Sequence, residues 1–340
     1  MQSRVLLIYP PSRTQAHLCC PTALTMLAAV LERAGHEVHL LDANAARNRR
    51  TNEQIVRLVK ELKPDVIGVT LLTPLAKMAY ELAAMLKSTG AKLLAGGPHA
   101  TLLPEEPLMN GFDAVVIGEG EPTIAEAVSA LLGNRDRDTV DGWLYLTDTG
   151  ELRRTPPRPL IEDLDELLPP AFHLVDAADY GGSKPLYSTL FSSRGCPARC
   201  SYCAGGLFGK RFRFRSAGSI VDEIVDRHRR YGTTHFHFMD DSMTANRERV
   251  LEMCTGLHQR VPDVTWSMMT RVDFVDEEIL NAAASAGCIQ IDFGIESGHP
   301  ETLKRIRKPH SVAMVRKVIP MTAAKGIKPV VFFILGFPWD

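Results

Sequence analysis

Residues 64–97 read PDVIGVTLLTPLAKMAYELAAMLKSTGAKLLAGG, and they decide the fold. Asp65–Thr70 is a short apolar run rich in Val and Ile, the pattern of a buried strand. Ala76–Lys87 carries apolar residues at helical spacing, and Gly90 stands just past it as a stop. Lys92–Ala95 is a second apolar run, and it ends at Gly96-Gly97. A strand, a helix and a strand joined by short turns imply a parallel sheet covered by helices.

The alternation extends in both directions. Val5–Tyr9, Val38–Asp42 and Ala114–Ile117 are further strand runs, and Ala23–Ala34 and Glu53–Leu62 are helix-period stretches closed by Gly35 and Lys63-Pro64. The spacing predicts a five-stranded doubly wound, Rossmann-like α/β domain over residues 1–133. Between residues 134 and 185 the pattern breaks. Trp143–Leu146 and Leu152–Thr155 predict a hairpin around Asp148-Thr149-Gly150. Pro156, Pro157, Pro159, Pro169 and Pro170 exclude long helices and central strands, so this stretch reads as a proline-rich linker.

Alternation resumes over residues 186–340. Strand runs at Tyr187–Phe191, His235–Met239, Thr265–Met268, Ile289–Phe293 and Val330–Leu335 alternate with helices at Gly218–Tyr231, Arg247–Gln259, Asp276–Ala286 and Val312–Lys325. The expectation is a partial (β/α) TIM-like barrel, with function at the carboxyl ends of its strands. Because the chain stops directly off the fifth run, at Gly336-Phe337-Pro338-Trp339-Asp340, the last barrel units are expected to be missing from a C-terminally truncated fragment.

The 340 residues hold 39 Lys and Arg against 40 Asp and Glu, so the net field is nearly neutral. No footprint for nucleic acid or an anionic membrane is expected; Lys210, Arg211, Arg213 and Arg215 are four charges in one loop, not a groove. The opening run is too short for a signal peptide or membrane span. Seven cysteines, three of them within eight residues, point to a metal or redox site in a reducing, cytoplasmic compartment.

Those three lie in residues 193–203, SRGCPARCSYC, with Cys196, Cys200 and Cys203 in C-x3-C-x2-C spacing after the first strand of the second domain. A cubane 4Fe–4S cluster normally takes four cysteines. Three ligands leave one iron open to a small molecule. Structural zinc wants four ligands, usually as two close pairs. No second pair exists: Cys19-Cys20 are adjacent, and Cys254 and Cys288 stand alone. Asp240-Asp241 end the second strand, where they either face the catalytic rim or cap the next helix. Glu296 and Ser297 follow the fourth strand between Gly294 and Gly298. Arg271 is either a carboxylate clamp or the partner of Asp273. In the first domain the strand ends carry Pro10-Pro11-Ser12, Thr70-Leu71-Leu72-Thr73, Gly96-Gly97-Pro98-His99-Ala100-Thr101 and Gly118-Glu119-Gly120-Glu121-Pro122, small and hydroxylic residues open to a large ligand. No G-x-G-x-x-G opens the first helix, which disfavours a dinucleotide. His17 and His36 read as surface residues. His99 is either a cofactor contact or a loop histidine satisfied locally.

The cysteine loop, with Tyr202 in its aromatic slot, resembles that of the radical S-adenosylmethionine (SAM) superfamily. The preceding domain resembles the cobalamin-binding domain of one large subgroup, the class B methylase-like proteins. The resemblance implies that Cys196, Cys200 and Cys203 hold a 4Fe–4S cluster whose open iron chelates SAM. It places Tyr202, Asp240, Asp241, Arg271, Glu296, Ser297 and Gly336 around SAM. Cobalamin is placed against Ser12, Thr70, Leu72, Thr73, Gly96, Gly97, His99, Gly118, Glu119 and Gly120. No D-x-H-x-x-G follows the first strand, so no axial histidine is assigned. The implied activity is radical methylation of an unactivated carbon of a small molecule, with an external flavodoxin- or ferredoxin-type reductant. The alternatives are a radical SAM cyclase or rearrangement enzyme, a tRNA methylthiotransferase-like enzyme, and a non-catalytic cobalamin or iron–sulfur binding protein. The methylthiotransferase would require more N-terminal cysteines than Cys19-Cys20.

Overall fold

The computed structural model describes residues 2–12, 20–205, 207 and 209–339, so His17, Cys19 and Asp340 lie outside the described residues. The chain divides into two compact units: Met1–Ile161 with Leu168–Gly182, and Glu162–Leu167 with Ser183–Asp340.

In the first unit the strands are β1 (Arg4–Tyr9), β2 (Glu37–Asp42), β3 (Val66–Thr70), β4 (Lys92–Gly96) and β5 (Ala114–Val116). They alternate with helices α1 (Thr22–Arg33), α2 (Asn52–Leu62), α3 (Ala76–Leu86), α4 (Pro98–Leu102), α5 (Glu105–Met109) and α6 (Ile124–Leu131). The order β2-β1-β3-β4-β5 is fully parallel, with its switch between β1 and β3. Val5, Leu6, Leu7 and Ile8 are all buried, because β1 is central and covered on both faces. The α2 helix starts in a capping box, where Thr51 accepts from Gln54 N–H and Gln54 accepts in return from Thr51 N–H.

Residues 134–185 are not a separate linker. Strands β6 (Trp143–Leu146) and β7 (Leu152–Arg154) form the expected hairpin, but β6 pairs antiparallel with β5 and extends the sheet to seven strands. The cause is apolar: Trp143, Leu144 and Tyr145 are buried in the same cores as the parallel strands. Residues 168–182 stay with this unit, and Ala171 N–H bonds to Thr25 O at 2.9 Å. Residues 162–167 join the second unit, where the Asp165 carboxylate accepts from Ser216 N–H at 3.1 Å.

The second unit begins with α7 (Ser183–Leu186) and β8 (Thr189–Leu190), then the antiparallel pair β9 (Ser193–Arg194) and β10 (Arg213–Phe214). It continues through α8 (Ala217–Tyr231), β11 (His235–Phe238), α9 (Arg247–Arg260), β12 (Thr265–Thr270), α10 (Glu277–Ser285), β13 (Cys288–Glu296), α11 (Pro300–Arg305), α12 (Val312–Ala324) and β14 (Lys328–Phe333). The order β8-β11-β12-β13-β14 is parallel throughout, which is the sequential order of a partial barrel. Phe236, Phe238, Trp266, Met268, Ile291 and Phe293 turn one face of this sheet into the core beneath the helices. Among the described residues no helix is long and apolar enough to cross a membrane.

Candidate functional site

The cysteines occupy the loop between β9 and β10, whose register pairs Arg194 with Arg213 and Ser193 with Phe214. Gly195 opens the loop at φ +79°, and a Cβ there would lie 2.4 Å from Arg211 O, so only glycine fits. Ser201 N–H bonds to Ile306 O at 3.0 Å, fastening the loop to the end of α11. Cys196 and Cys200 are half-buried and Cys203 is exposed. Burial pushes the Cys196 thiol up; an Ala198 N–H bond and the Arg271 charge oppose this, while Asp241 and Cys200 add to it.

Among the described residues no three His, Cys, Asp or Glu side chains group closely enough to hold one metal ion. Zinc needs every sulfur about 2.3 Å from a single point. A cubane instead spreads its thiolates over several irons. Cys196, Cys200 and Cys203 lie in one loop beside the cationic Arg271, three soft sulfur donors that suit an iron–sulfur cluster.

Asp240 and Asp241 have separate fates. Asp240 is buried and accepts from Ser192 N–H at 3.0 Å, Ser192 Oγ–H at 3.0 Å and Ser193 Oγ–H at 2.5 Å. Burial outweighs these bonds and the nearby Arg249 charge, raising its carboxyl above the usual range. Arg249 completes the bracket, donating to Ser192 O and Ser192 Oγ at 2.9 Å and to Met243 O at 2.8 Å. Asp240 therefore anchors the strand leading into the cysteine loop, and its bonds leave it badly placed to receive SAM. Asp241 is exposed and, among the described residues, has no hydrogen bond or ion pair.

Arg271 is buried and forms a bidentate pair with Asp273, at 2.9 and 2.7 Å, over the Phe274 ring. Its fork is filled, so the structure favours the Asp273 partner over the carboxylate clamp. Glu296 ends β13 at a bulge, with φ +69°. Tyr202 Oη–H donates to Glu296 Oε1 at 2.7 Å, bringing the cysteine loop and the fourth-strand motif together. Burial first, and then this bond and the Glu296 charge, push the Tyr202 phenol far above its usual range. Lys308 Nζ lies 3.1 Å from the same Oε1. Ser297 accepts from His299 N–H at 3.1 Å, and Gly336 (φ +83°) precedes Phe337, whose ring meets Tyr202 edge-on at 6.4 Å.

In the first unit the strand ends adjoin one another at β3 and β4. Gly97 (φ +95°) abuts Thr70: a Cβ would meet Thr70 Oγ1 at 2.8 Å. Leu71 N–H bonds to Gly96 O at 2.7 Å, and Leu72 extends toward Thr73. Among the described residues, and apart from its chain neighbours, no atom lies within 4 Å of a Cβ built on Gly96 or Gly118. That uncovered glycine backbone beside hydroxyl-bearing strand ends fits a large planar ligand. Gly120 packs against Leu27, and Ser12 N–H donates to Asn44 Oδ1 at 2.5 Å. Glu119 is buried and accepts from Ile161 N–H at 2.7 Å, so its carboxylate ties down the chain instead of facing the open space. His99 is also buried, with Nδ1 3.1 Å from Thr73 Oγ1 and Nε2 3.1 Å from Tyr80 Oη. Both ring nitrogens are engaged, which leaves His99 no lone pair for a metal. His36 is half-buried on Ser3 at 2.7 Å and is no free surface residue.

Comparison with known proteins agrees with both halves. A B12 binding domain model matches residues 14–128, and a Radical SAM superfamily model matches residues 190–339. An uncharacterized methyltransferase of Pyrococcus horikoshii is 32% identical over 98% of this chain and 74% of its own length. The chain belongs to the cobalamin-dependent radical SAM methyltransferase family. The cytidylyl-2-hydroxyethylphosphonate methyltransferase of Streptomyces wedmorensis is 30% identical over 98% of this chain and 73% of its own. Among solved structures, the cobalamin-dependent SAM radical enzyme OxsB superposes with TM-score 0.82 at 20% identity, over 98% of this chain and 49% of that one. At that identity OxsB supports the fold. The anaerobic magnesium-protoporphyrin IX monomethyl ester cyclase of Synechocystis is 31% identical over 98% of this radical SAM chain and 69% of its own length.

Two residues of this radical SAM unit went unread in the sequence, Arg249 and Lys308. Neither belongs to a motif. Lys308 sits in a loop twelve positions beyond Glu296, with no periodicity to mark it. Its one signal is a Lys-Pro pair just past a short helix, too common to single out.

Proposed function

We propose that this chain is a cobalamin-dependent radical SAM methyltransferase acting on an unactivated carbon of a small molecule. The observation that carries the proposal is the docking of the cysteine loop, through Tyr202, onto Glu296 at the carboxyl end of β13. When bound, the cluster and SAM together supply a 5′-deoxyadenosyl radical, and cobalamin supplies the methyl group. Cys196, Cys200 and Cys203 hold the cluster, and the Gly195 turn and the Ser201 bond keep their loop in place. Tyr202 borders the adenine, Asp241 receives the SAM amino group, and Glu296 with Ser297 meets the ribose or methionine part. Gly336 leaves room beside them. In the first unit Thr70, Leu72, Thr73, Gly96, Gly97, Gly118 and Gly120 line the cobalamin, with Ser12 at the end of β1. The cluster requires a one-electron reductant of flavodoxin or ferredoxin type, and free thiols suit a reducing cytoplasm.

The test uses chain reconstituted anaerobically with iron, sulfide and cobalamin, then given methyl-labelled SAM and a reductant. Methylation requires S-adenosylhomocysteine, 5′-deoxyadenosine and label on the bound corrinoid. Label that never reaches the corrinoid, with both cofactors loaded and no S-adenosylhomocysteine formed, overturns the proposal. The Synechocystis cyclase favours a second outcome, in which 5′-deoxyadenosine forms without S-adenosylhomocysteine.

A further inference from the structure

We infer that Lys308 is a positioning residue for Glu296, fixing the carboxylate that meets SAM; this rests on the assignment of Glu296 to the SAM site. The Lys308 side chain is 4% exposed, and its ammonium meets one small cluster. Nζ donates to Gly294 O at 3.0 Å, lies 3.1 Å from Glu296 Oε1, and sits over the Tyr202 ring at 5.9 Å. Tyr202 Oη–H donates to that same Oε1. One carboxylate oxygen thus receives a cation from below and a phenol from the cysteine loop, and its orientation is set from two sides.

The backbone is built around this pair. Three non-glycine residues among those described have left-handed φ, and two of them deliver its partners: Glu296 (φ +69°), and Arg307 (φ +58°), which turns the chain into Lys308. Such conformations persist only where surrounding contacts hold them. Gly294 leaves the space the pair occupies. A Cβ there would meet Glu296 Oε1 at 2.7 Å and Lys308 Nζ at 3.3 Å, whereas Gly298 has nothing within 4 Å. A buried ion pair contributes little net stability once desolvation is subtracted. Orientation is what this arrangement provides.

The experiment measures the SAM dissociation constant and the iron content of holoprotein carrying Lys308→Met, Glu296→Gln, both together, Lys308→Arg, Gly294→Ala or Gly298→Ala. Lys308→Met and Glu296→Gln are each expected to weaken SAM binding tenfold or more at unchanged iron content. The double variant should be no worse than the weaker single one. Lys308→Arg should recover part of the loss, Gly294→Ala should reproduce it by displacing the pair, and Gly298→Ala should bind as the parent does. Normal affinity in Lys308→Met beside a weakened Glu296→Gln overturns the role of Lys308 and leaves the SAM site standing. Normal affinity in Glu296→Gln removes Glu296 from that site, and the inference falls with it. Should Lys308→Met fail to fold, Gly294→Ala decides, and parental affinity there overturns the inference.

Discussion

Replacing Gly195 by alanine should empty the cluster site while sparing the fold. Two costs add. A left-handed φ near +79° costs an L-residue about 1–2 kcal/mol. The new methyl would lie 2.4 Å from Arg211 O and 3.0 Å from Gly209 O, both backbone atoms that cannot swing aside. Forcing the hairpin open against such contacts costs about 1–3 kcal/mol. The sum is about 2–5 kcal/mol, borne by a loop outside the hydrophobic core of the second unit. The cluster-free loop relieves this strain by opening, but the cluster-bound loop must stay closed. At about 1.4 kcal/mol per decade, cluster affinity falls from about 30-fold to several thousandfold. Iron and acid-labile sulfide per chain, with the thermal midpoint, measure it. Gly218→Ala is the control, because its Cβ meets nothing within 4 Å and its φ is ordinary. Full iron loading in Gly195→Ala would refute the claim that the turn holds the loop closed.

Asp240→Ala should destabilise the second unit by about 1–3 kcal/mol, because it leaves the buried Ser192 N–H and the Ser192 and Ser193 hydroxyls without their acceptor; Asp241→Ala should leave denaturant midpoints unchanged and weaken SAM binding, as paired unfolding and binding curves will show. His99→Ala should cost about 1–3 kcal/mol through the broken Thr73 and Tyr80 bonds, with the absorption spectrum of bound corrinoid unaltered; a spectral shift would return His99 to the cobalt. In cluster-free protein at pH 8, iodoacetamide should alkylate Cys196, Cys200 and Cys203 but spare Cys254, whose thiol burial pushes up to about 12, as peptide mass spectrometry will resolve. Because the folded value lies above the ordinary 9.0, the folded state holds that proton more tightly. Its contribution is intact below pH 9 and is lost as pH rises from 9 toward about 12, which alkaline unfolding of Cys254→Ala against the parent will test.

The parallel strands were legible because each is a short, largely apolar run set between helix-period stretches, and all ten fall within a few residues of where that pattern sets them. The sheet membership of β6 and β7 was not, since a hairpin pattern says nothing about which edge it will pair with. The proline-rich stretch was misjudged for a related reason. Proline forbids helices there but not burial, and Ala171 and Phe172 are buried. At the site, the spacing of Cys196, Cys200 and Cys203 and the strand-end position of Glu296 were informative. Asp240 and Asp241 could not be told apart, because adjacent residues at a strand end point in opposite directions and only the fold selects the buried one. His99 and Glu119 looked available because a loop position conceals the partners that consume them, Tyr80 and Ile161.

The most direct test of the cluster-and-SAM site is the electron paramagnetic resonance spectrum of the reduced, reconstituted chain before and after SAM is added. A cluster held by three cysteines with an open iron should give an S = 1/2 signal that shifts on SAM binding, and the signal should disappear with the cluster in Cys203→Ala. A signal indifferent to saturating SAM, or a chain that takes up zinc and no iron, would contradict the assignment.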